Sequence, residues 1–301
     1  MKDITIAIPA HNEEANISLL LQDILSQKNI RKLVKEIVVV SDGSTDTTTS
    51  EVSKVKSSLV KLVVQRKRRG LAKTLNHIFS IAKTDILVVL NADAHIQSKD
   101  FIEKLTLPIK KGRADLVSVK LTEVPAVNEF EKILYTGLTM KSRMVQSWRR
   151  GNNALTCYGV ARGFSRKLYS SLHIPQSIGD DAYTYFYAIT NGFSYSFVKN
   201  AEIFYRPSTN YKEHRKQTLR FFTSQSIMKK TFGREIVEPN YKIPVRLIIK
   251  ELFSSIMRSP MYTILYLGTV LMSKIISLFT RTDNVDYWEV SESSKKLRIN
   301  V

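Results

Sequence analysis

The chain has 301 residues, with 46 Lys and Arg against 27 Asp and Glu, a net charge of +19 and a pI near 9.9. A hydrophobic fraction of 43% excludes a disordered chain and leaves ample core for one large domain or two smaller ones. Cys157 is the only cysteine, which excludes an intrachain disulfide and a cysteine-built zinc site, while the charge favours polyanions: nucleic acid, an anionic membrane surface or a phosphate-bearing substrate.

Met1-Lys2-Asp3 runs straight into a strand pattern, so no signal peptide is expected. Ile4 to Ile8 is the first strand, and Glu13 to Ser26 has helical spacing through Ile17, Leu20, Leu21, Ile24 and Leu25. Glu36 to Val40 is a second strand, after which Ser44 and Thr45 are the expected caps of a helix from about Thr47. Leu59 to Val64 is a third strand. A helix follows over Leu71 to Ala82, with Leu75, Ile78, Phe79 and Ala82 on one face. Ile86 to Leu90 is the fourth strand, followed by a helix near Phe101 to Ile109 and a fifth strand at Asp115 to Val119. This alternation predicts an α/β fold with a mostly parallel sheet, helices on both faces, and ligands beyond the carboxyl ends of the strands.

From about Leu121 the pattern loosens. Cys157 to Phe164 reads as a strand or turn, Asp180 to Thr190 as a helix, Tyr195 to Val198 and Ala201 to Tyr205 as two short strands, and Tyr211 to Lys230 as a basic helix. Ile243 to Met257 is an amphipathic basic stretch, with Val245, Leu247, Ile248, Leu252, Phe253 and Ile256 on its apolar side. Met261 to Phe279 is apolar apart from Lys274, and at helical rise it reaches about 28 Å, close to the thickness of a bilayer core. A membrane span, contact at the membrane surface and a buried terminal helix are all open on this pattern. The expected organisation is a catalytic domain over 1–230, divided into a nucleotide-binding half (about 1–120) and an acceptor half (about 121–230), and a membrane-associating region over 231–301.

The polar residues gather where such a sheet would bind. Pro9-Ala10-His11-Asn12-Glu13-Glu14 follows the first strand, with Asn12 placed to cap the next helix. Ser41-Asp42-Gly43-Ser44-Thr45-Asp46 follows the second, and Asn91-Ala92-Asp93 the fourth. Side chains two apart on a strand point the same way, so Asn91 and Asp93 would present two oxygens suited to a hard divalent cation carrying a phosphate. Each segment taken singly is equally well a turn or a helix cap.

Together these segments, with Gly70-Leu71-Ala72-Lys73-Thr74-Leu75-Asn76, resemble family 2 glycosyltransferases of the GT-A fold in order and spacing. The resemblance covers roughly the first 200 residues. It implies that Pro9, Ala10, His11 and Glu13 line a nucleoside pocket, that Asp42 hydrogen-bonds the base, and that Lys73 meets the diphosphate. It also implies that Asp93, with Asn91, ligates Mg²⁺ or Mn²⁺. The family's usual motif is Asp-x-Asp, and Asn91 departs from it by one charge; His95 is a spare candidate ligand. Gly179-Asp180-Asp181 is similar to the family's acidic motif, with Asp181 as catalytic base and Asp180 as the acid beside it. Gln217-Thr218-Leu219-Arg220-Phe221 resembles the Gln-x-x-Arg-Trp motif of membrane-bound polysaccharide synthases and related lipid glycosyltransferases, with Phe221 in place of Trp and Arg220 aimed at the diphosphate. Gly159-Val160-Ala161-Arg162-Gly163-Phe164 is loosely similar to the acceptor segment.

The resemblance implies an inverting, metal-dependent enzyme that uses a nucleotide-diphosphate sugar and a lipid-linked or membrane-proximal saccharide acceptor. A processive synthase subunit dependent on a partner channel is the alternative within the class. A basic nucleic-acid-binding protein is the alternative outside it, although the run Arg66-Lys67-Arg68-Arg69 lacks an accompanying nucleic-acid module. A sugar nucleotidyltransferase would need a Gly-rich loop after the first strand, and the P-loop pattern is absent. Lys and Arg dominate before the apolar segment, so a span would place the catalytic domain in the cytoplasm.

Overall fold

Seven strands make a single sheet in the computed structural model, which describes residues 3–176 and 179–279. Met1, Lys2, residues 177–178 and residues 280–301, the last including part of the expected membrane-associating region, lie outside the described residues. The strands are β1 (Ile4–Ala10), β2 (Val34–Asp42), β3 (Val60–Gln65), β4 (Ile86–Leu90), β5 (Leu116–Glu123), β6 (Ala161–Ser165) and β7 (Tyr195–Tyr205). The helices are α1 (Ile17–Leu25), α2 (Ile30–Leu33), α3 (Thr48–Lys54), α4 (Leu71–Ile81), α5 (Phe101–Lys110), α6 (Glu129–Ser147), α7 (Arg166–Ser171), α8 (Asp180–Thr190), α9 (Tyr211–Phe232), α10 (Arg234–Val237), α11 (Val245–Arg258) and α12 (Pro260–Phe279).

The strand order is β3-β2-β1-β4-β6-β5-β7. The first four strands are parallel, as are β5 and β7, whereas β6 runs antiparallel between β4 and β5. Strand periodicity sorts the side chains into two cores. Ile4, Ile6, Ile8, Ile37, Val39 and Val88 pack with α1 and α5 on one face. Ala7, Val38, Val40, Leu87 and Val89 pack with α4, α7 and α8 on the other.

The two short strands expected at 195–205 are one strand. Its pairing jumps from Val119↔Val198 to Lys120↔Glu202, so 199–201 form a bulge that interrupts the alternation. Helix α6 has no counterpart in the sequence reading. Its start is fixed by Asn128, whose side chain accepts from the Glu131 amide at 2.8 Å, while Glu131 is buried against Arg206. A charged residue on the buried face hides the helical period.

Two caps differ from expectation. Asn12 has φ +54° and lies before the Asn16 cap of α1; its Oδ1 accepts from the Thr45 amide instead. Ser44 and Thr45 serve that junction, and the α3 end is met by Asp46, whose Oδ1 accepts from the Thr48 amide at 3.0 Å.

The C-terminal helices α11 and α12 pack on α6 through Leu134, Met140, Met144, Leu252, Tyr266 and Val270. Among the described residues no helix is long and apolar enough to cross a membrane, which corrects the spanning expectation. The orientation rule drawn from it therefore has no span among the described residues to act on. The amphipathic expectation for α11 is met in pattern, and much of its apolar side is exposed. Glu251 and Ser255 face inward, Glu251 pairing with Arg143 at 2.8 Å and Ser255 meeting Thr263 at 2.9 Å. Val245, Ile249, Phe253 and Met257 point out and are 62–70% exposed.

Gly137 on α6 is the close-approach point of this packing. A Cβ there would stand 2.1 Å from the Tyr266 ring. Gly137→Ala is expected to destabilise the protein by about 1–3 kcal/mol through overpacking. Denaturant unfolding checks this, and an unchanged midpoint would contradict the packing.

Candidate active site

Three loops at the carboxyl ends of β1, β2 and β3 are stitched into one rim. Pro9 lies past the last residue of β1 that pairs with β4, Ala7, where the ladder on that side has ended. His11 Nδ1 donates to the Asp42 carbonyl oxygen at 2.8 Å. Glu13 is buried; its amide donates to Thr48 Oγ1 at 2.7 Å and its carboxylate accepts from Asn16 Nδ2 at 3.1 Å. Glu14 accepts from the Thr47 amide at 3.0 Å.

Asp42 closes the rim. Its two carboxylate oxygens accept from the amides of Arg69 (2.6 Å) and Gly70 (2.8 Å). Each oxygen keeps a second lone pair, so a ligand N–H can still be received. Gly43 makes the fit feasible, since its φ is +61° and a Cβ would stand 2.3 Å from the Arg68 amide nitrogen. The basic run 66–69 is exposed and leads into α4, with Lys73 exposed in its first turn. Helix N-terminal amides and a lysine make this an anion-favouring corner.

Asn91-Ala92-Asp93 stands on a different footing from that expected. β4 ends at Leu90, and residues 91–94 form a turn closed by the Ala94 amide on the Asn91 carbonyl at 3.2 Å. Strand periodicity therefore does not govern Asn91 and Asp93. Burial still separates the pairs: Ala92 and Ala94 enter the core, whereas Asn91 and Asp93 are half-buried at the sheet edge. Among the described residues no group of three or more His, Cys, Asp or Glu side chains is gathered for a metal. Two half-buried oxygens at the sheet edge fit Mg²⁺ or Mn²⁺, ions that complete their shell with substrate phosphate and water. His95 is turned to another task, its Nδ1 lying 2.6 Å from Asp23 Oδ2 on α1.

The antiparallel β6 brings the second half of the chain to this edge. The Asn91 amide donates to the Val160 carbonyl at 2.9 Å, and Arg162 pairs in register with Val89 and Ser118. Arg162 is only 1% exposed, and its guanidinium binds the Asp180 carboxylate, the Asp180 carbonyl (3.1 Å) and Thr184 Oγ1 (3.1 Å). Asp180 is thereby committed to Arg162. Asp181 makes no ion pair among the described residues; its Oδ1 accepts from the Ala182 amide at 2.7 Å. Burial, then the charge of Asp180, raises its pKa to about 6, with Arg162 opposing. Gly159 lies alongside, where a Cβ would be 3.8 Å from both Asp180 Oδ2 and Asp181 Cβ.

Helix α9 closes the site behind the acids. Ser224 stands 2.5 Å from the position of a Cβ on Gly179. Arg220 is one turn earlier on the same face as Ser224, and both Gln217 and Arg220 are half-buried. Phe221 meets the Tyr241 ring edge-on at 6.0 Å. The residues read from sequence thus fall into a rim (Pro9, Ala10, His11, Glu13, Asp42, Lys73), a turn (Asn91, Asp93) and an acidic wall (Asp180, Asp181, with Arg220 behind). Arg162 was not singled out as a site residue. Its signal was there: one cation in the otherwise apolar strand Ala161–Phe164 requires a buried counter-charge.

The family model for glycosyl transferase family 2 matches residues 5–172, more than half of the chain, and the chain belongs to that family. It is 28% identical over 145 residues to a dolichol-phosphate mannosyltransferase of Pyrococcus furiosus, covering 47% of this chain and 40% of the relative. It is 26% identical over 126 residues to a dolichyl-phosphate beta-glucosyltransferase of Dictyostelium discoideum, covering 38% of each. The match therefore spans less than half the length of these curated relatives. Among solved structures, the mannosyltransferase PcManGT from Pyrobaculum calidifontis, in complex with GDP-Man and Mn²⁺, superposes with a TM-score of 0.61 at 19% identity, over 93% of this chain and 76% of that one. The fold is of the GT-A type.

Arg162→Met is expected to destabilise the protein by about 3–5 kcal/mol, because it strands a buried carboxylate. Arg162→Met combined with Asp180→Leu should recover part of that loss. Equal stability of wild type and Arg162→Met in urea would contradict the pairing.

Proposed function

We propose that this chain carries the catalytic part of an inverting, metal-dependent glycosyltransferase, moving a sugar from a nucleotide-diphosphate sugar to a lipid-linked or membrane-proximal saccharide. The observation that carries it is the division of labour between Asp180 and Asp181. One acid is locked to Arg162, and its neighbour has no ion-pair partner among the described residues and a raised proton affinity. A carboxylate with that affinity suits a general base near neutral pH.

In this reading the rim of Pro9, Ala10, His11, Glu13 and Asp42 holds the nucleoside. Lys73, the α4 amides and Arg220 offset the diphosphate charge. Asp93 and Asn91 hold Mg²⁺ or Mn²⁺, which when bound neutralises the leaving diphosphate. Asp181 takes the proton of the acceptor hydroxyl as its oxygen bonds the anomeric carbon. The bond from that carbon to the diphosphate breaks on the opposite side, with its electrons, and configuration inverts. The nucleotide-binding half (1–120) and acceptor half (121–230) meet at β6. Family membership and the convergence of these groups weigh against the nucleic-acid-binding reading.

Membrane association is supported by the exposed apolar face of α11 and α12. Both helices bury polar residues, Glu251, Ser255, Thr263 and Ser273, and expose apolar ones. Met261 and Ile264 on α12 are 60% and 64% exposed, and Phe253 on α11 is 66% exposed. Such a face lies in a bilayer interface rather than across it, with Arg246, Lys250 and Arg258 available for anionic headgroups. It would hold the catalytic domain at the cytoplasmic leaflet, where nucleotide sugars are made.

Two experiments test this. With UDP-, GDP- and dTDP-sugars and Mn²⁺, a nucleotide sugar should stabilise the wild type thermally. Asp181→Asn should keep that shift and lose transfer by about 10²–10⁴-fold, and Asp93→Ala should lose the Mn²⁺-dependent part of the shift. For transfer, kcat/KM should fall below about pH 6, as Asp181 takes up its proton. A rate that is flat down to pH 4, or an Asp181→Asn variant that still transfers, would refute the base. In the second experiment, Ile249→Glu with Phe253→Glu should abolish co-sedimentation with phosphatidylglycerol-containing vesicles and spare nucleotide binding. Unchanged sedimentation would refute the docking face.

A further inference from the structure

The turn that carries Asn91 and Asp93 is held at both ends by other parts of the fold. At its entry the Asn91 amide donates to the Val160 carbonyl at 2.9 Å. At its exit His95 bridges to Phe204 of β7, the amide of each donating to the carbonyl of the other at 2.9 Å. Their rings lie 6.2 Å apart. A third element, α1, takes hold of the same residue. Asp23 Oδ2 accepts from His95 Nδ1 at 2.6 Å and from the Ile96 amide at 3.2 Å. The pair is shielded from water, the Asp23 side chain being 13% exposed and that of His95 22%.

An exposed ion pair contributes little, but a shielded carboxylate that takes two successive donors fixes the backbone between them. We propose that Asp23 is a positioning residue for the cation: through His95 it fixes the turn from which Asn91 and Asp93 reach Mg²⁺ or Mn²⁺. The inference rests on the metal-dependent glycosyltransferase reading above and adds to it a residue that acts through another.

Three observations carry it. Asn91 and Asp93 lie beyond the end of β4, so no sheet ladder sets their side chains. Mg²⁺ demands near-ideal octahedral geometry at about 2.0–2.1 Å, and two ligands on a loose turn would hold it poorly. The clamp supplies the constraint that the strand no longer gives. Second, with an amide at position 91 the turn brings a single carboxylate to the ion, which leaves affinity more dependent on placement. Third, α1 follows directly on the rim loop, where Asn16 Nδ2 donates to the Glu13 carboxylate at 3.1 Å. One rigid helix thus joins the proposed nucleoside rim to the proposed cation turn.

Positioning rather than coordination follows from what Asp23 holds. Its bond occupies Nδ1 of His95. Among the described residues no three His, Cys, Asp or Glu side chains are gathered for a metal, so Asp23 and His95 do not join Asp93 as a three-ligand set.

The test uses the full chain and reads Mn²⁺ binding directly, from the electron paramagnetic resonance signal of the free ion, at saturating UDP, GDP or dTDP. Asp23→Ala should weaken Mn²⁺ binding by about 10–100-fold, the scale set by outer-shell partners at metal sites, and leave metal-free nucleotide binding unchanged. His95→Phe keeps a ring against Phe204 and loses the donor; it should show the same loss, and it carries the test if Asp23→Ala does not fold. His95→Asn keeps an N–H for Asp23 and should stay near wild type. Unchanged Mn²⁺ affinity in Asp23→Ala or His95→Phe would overturn the assignment. So would a loss in His95→Asn as large as that in Asp23→Ala, which would make His95 a ligand through Nε2. An equal loss of metal-free nucleotide binding would also overturn it, by making Asp23 a general support of the fold. Failure of the wild type to bind Mn²⁺ with any of the three nucleotides would instead overturn the reading on which the inference rests.

Discussion

The buried pair of Arg162 and Asp180 organises this molecule. A guanidinium inside a sheet cannot be left uncompensated, and Arg162 uses two nitrogens on Asp180 and a third contact on Thr184. That requirement pins the first turn of α8 to the middle of the sheet. It fixes Asp181 by chain connectivity, one residue on, with its own carboxylate held by the Ala182 amide. The pair also depends on strand direction. Only because β6 runs antiparallel does its early residue Arg162 arrive near the carboxyl end of β4, where Asn91 bonds Val160. Two halves of a chain that share few local signals are thus joined through one ionic contact and one backbone hydrogen bond.

Helix α6 does for the acceptor side what β6 does for the donor side. One face meets the C-terminal hairpin, and Lys141 reaches the ring of Phe221 on α9. The hairpin's polarity follows from this. Its interior contacts include an ion pair and a hydroxyl pair beside the apolar packing on α6, and much of its remaining apolar area is left outside. Burial of such area in a bilayer interface would return roughly 25 cal/mol per Å², which is the physical basis of the proposed docking.

The first half of the fold was legible because parallel strands buried on both faces read as apolar runs, and because their loops carry Pro9, Asp42 and Asp93 at the ends. The candidate site was legible for the same reason. Where the reading departed, a tertiary contact had overridden local pattern. Asn12 looks like a cap and is a bridge to Thr45. Asn91 and Asp93 look like strand residues and form a turn, because β4 gives way to the Val160 contact. Helix α6 escaped notice because Glu131 occupies its buried face, neutralised by Arg206 from 75 residues away.

Sequence by itself determined which residue types stand at which strand ends, and hence the family and the chemistry on offer. It also determined that residues 243–257 carry apolar and basic sides at helical spacing and that Met261 to Phe279 is apolar apart from Lys274. The tertiary structure decided which way those faces turn, which of two adjacent aspartates is paired, and that Lys141 meets Phe221. The physical reason is the same in each case. Periodicity specifies that a face exists, but only the partner across the interface decides whether it is buried, and a charge acquires its role from the counter-charge that the fold brings to it or withholds.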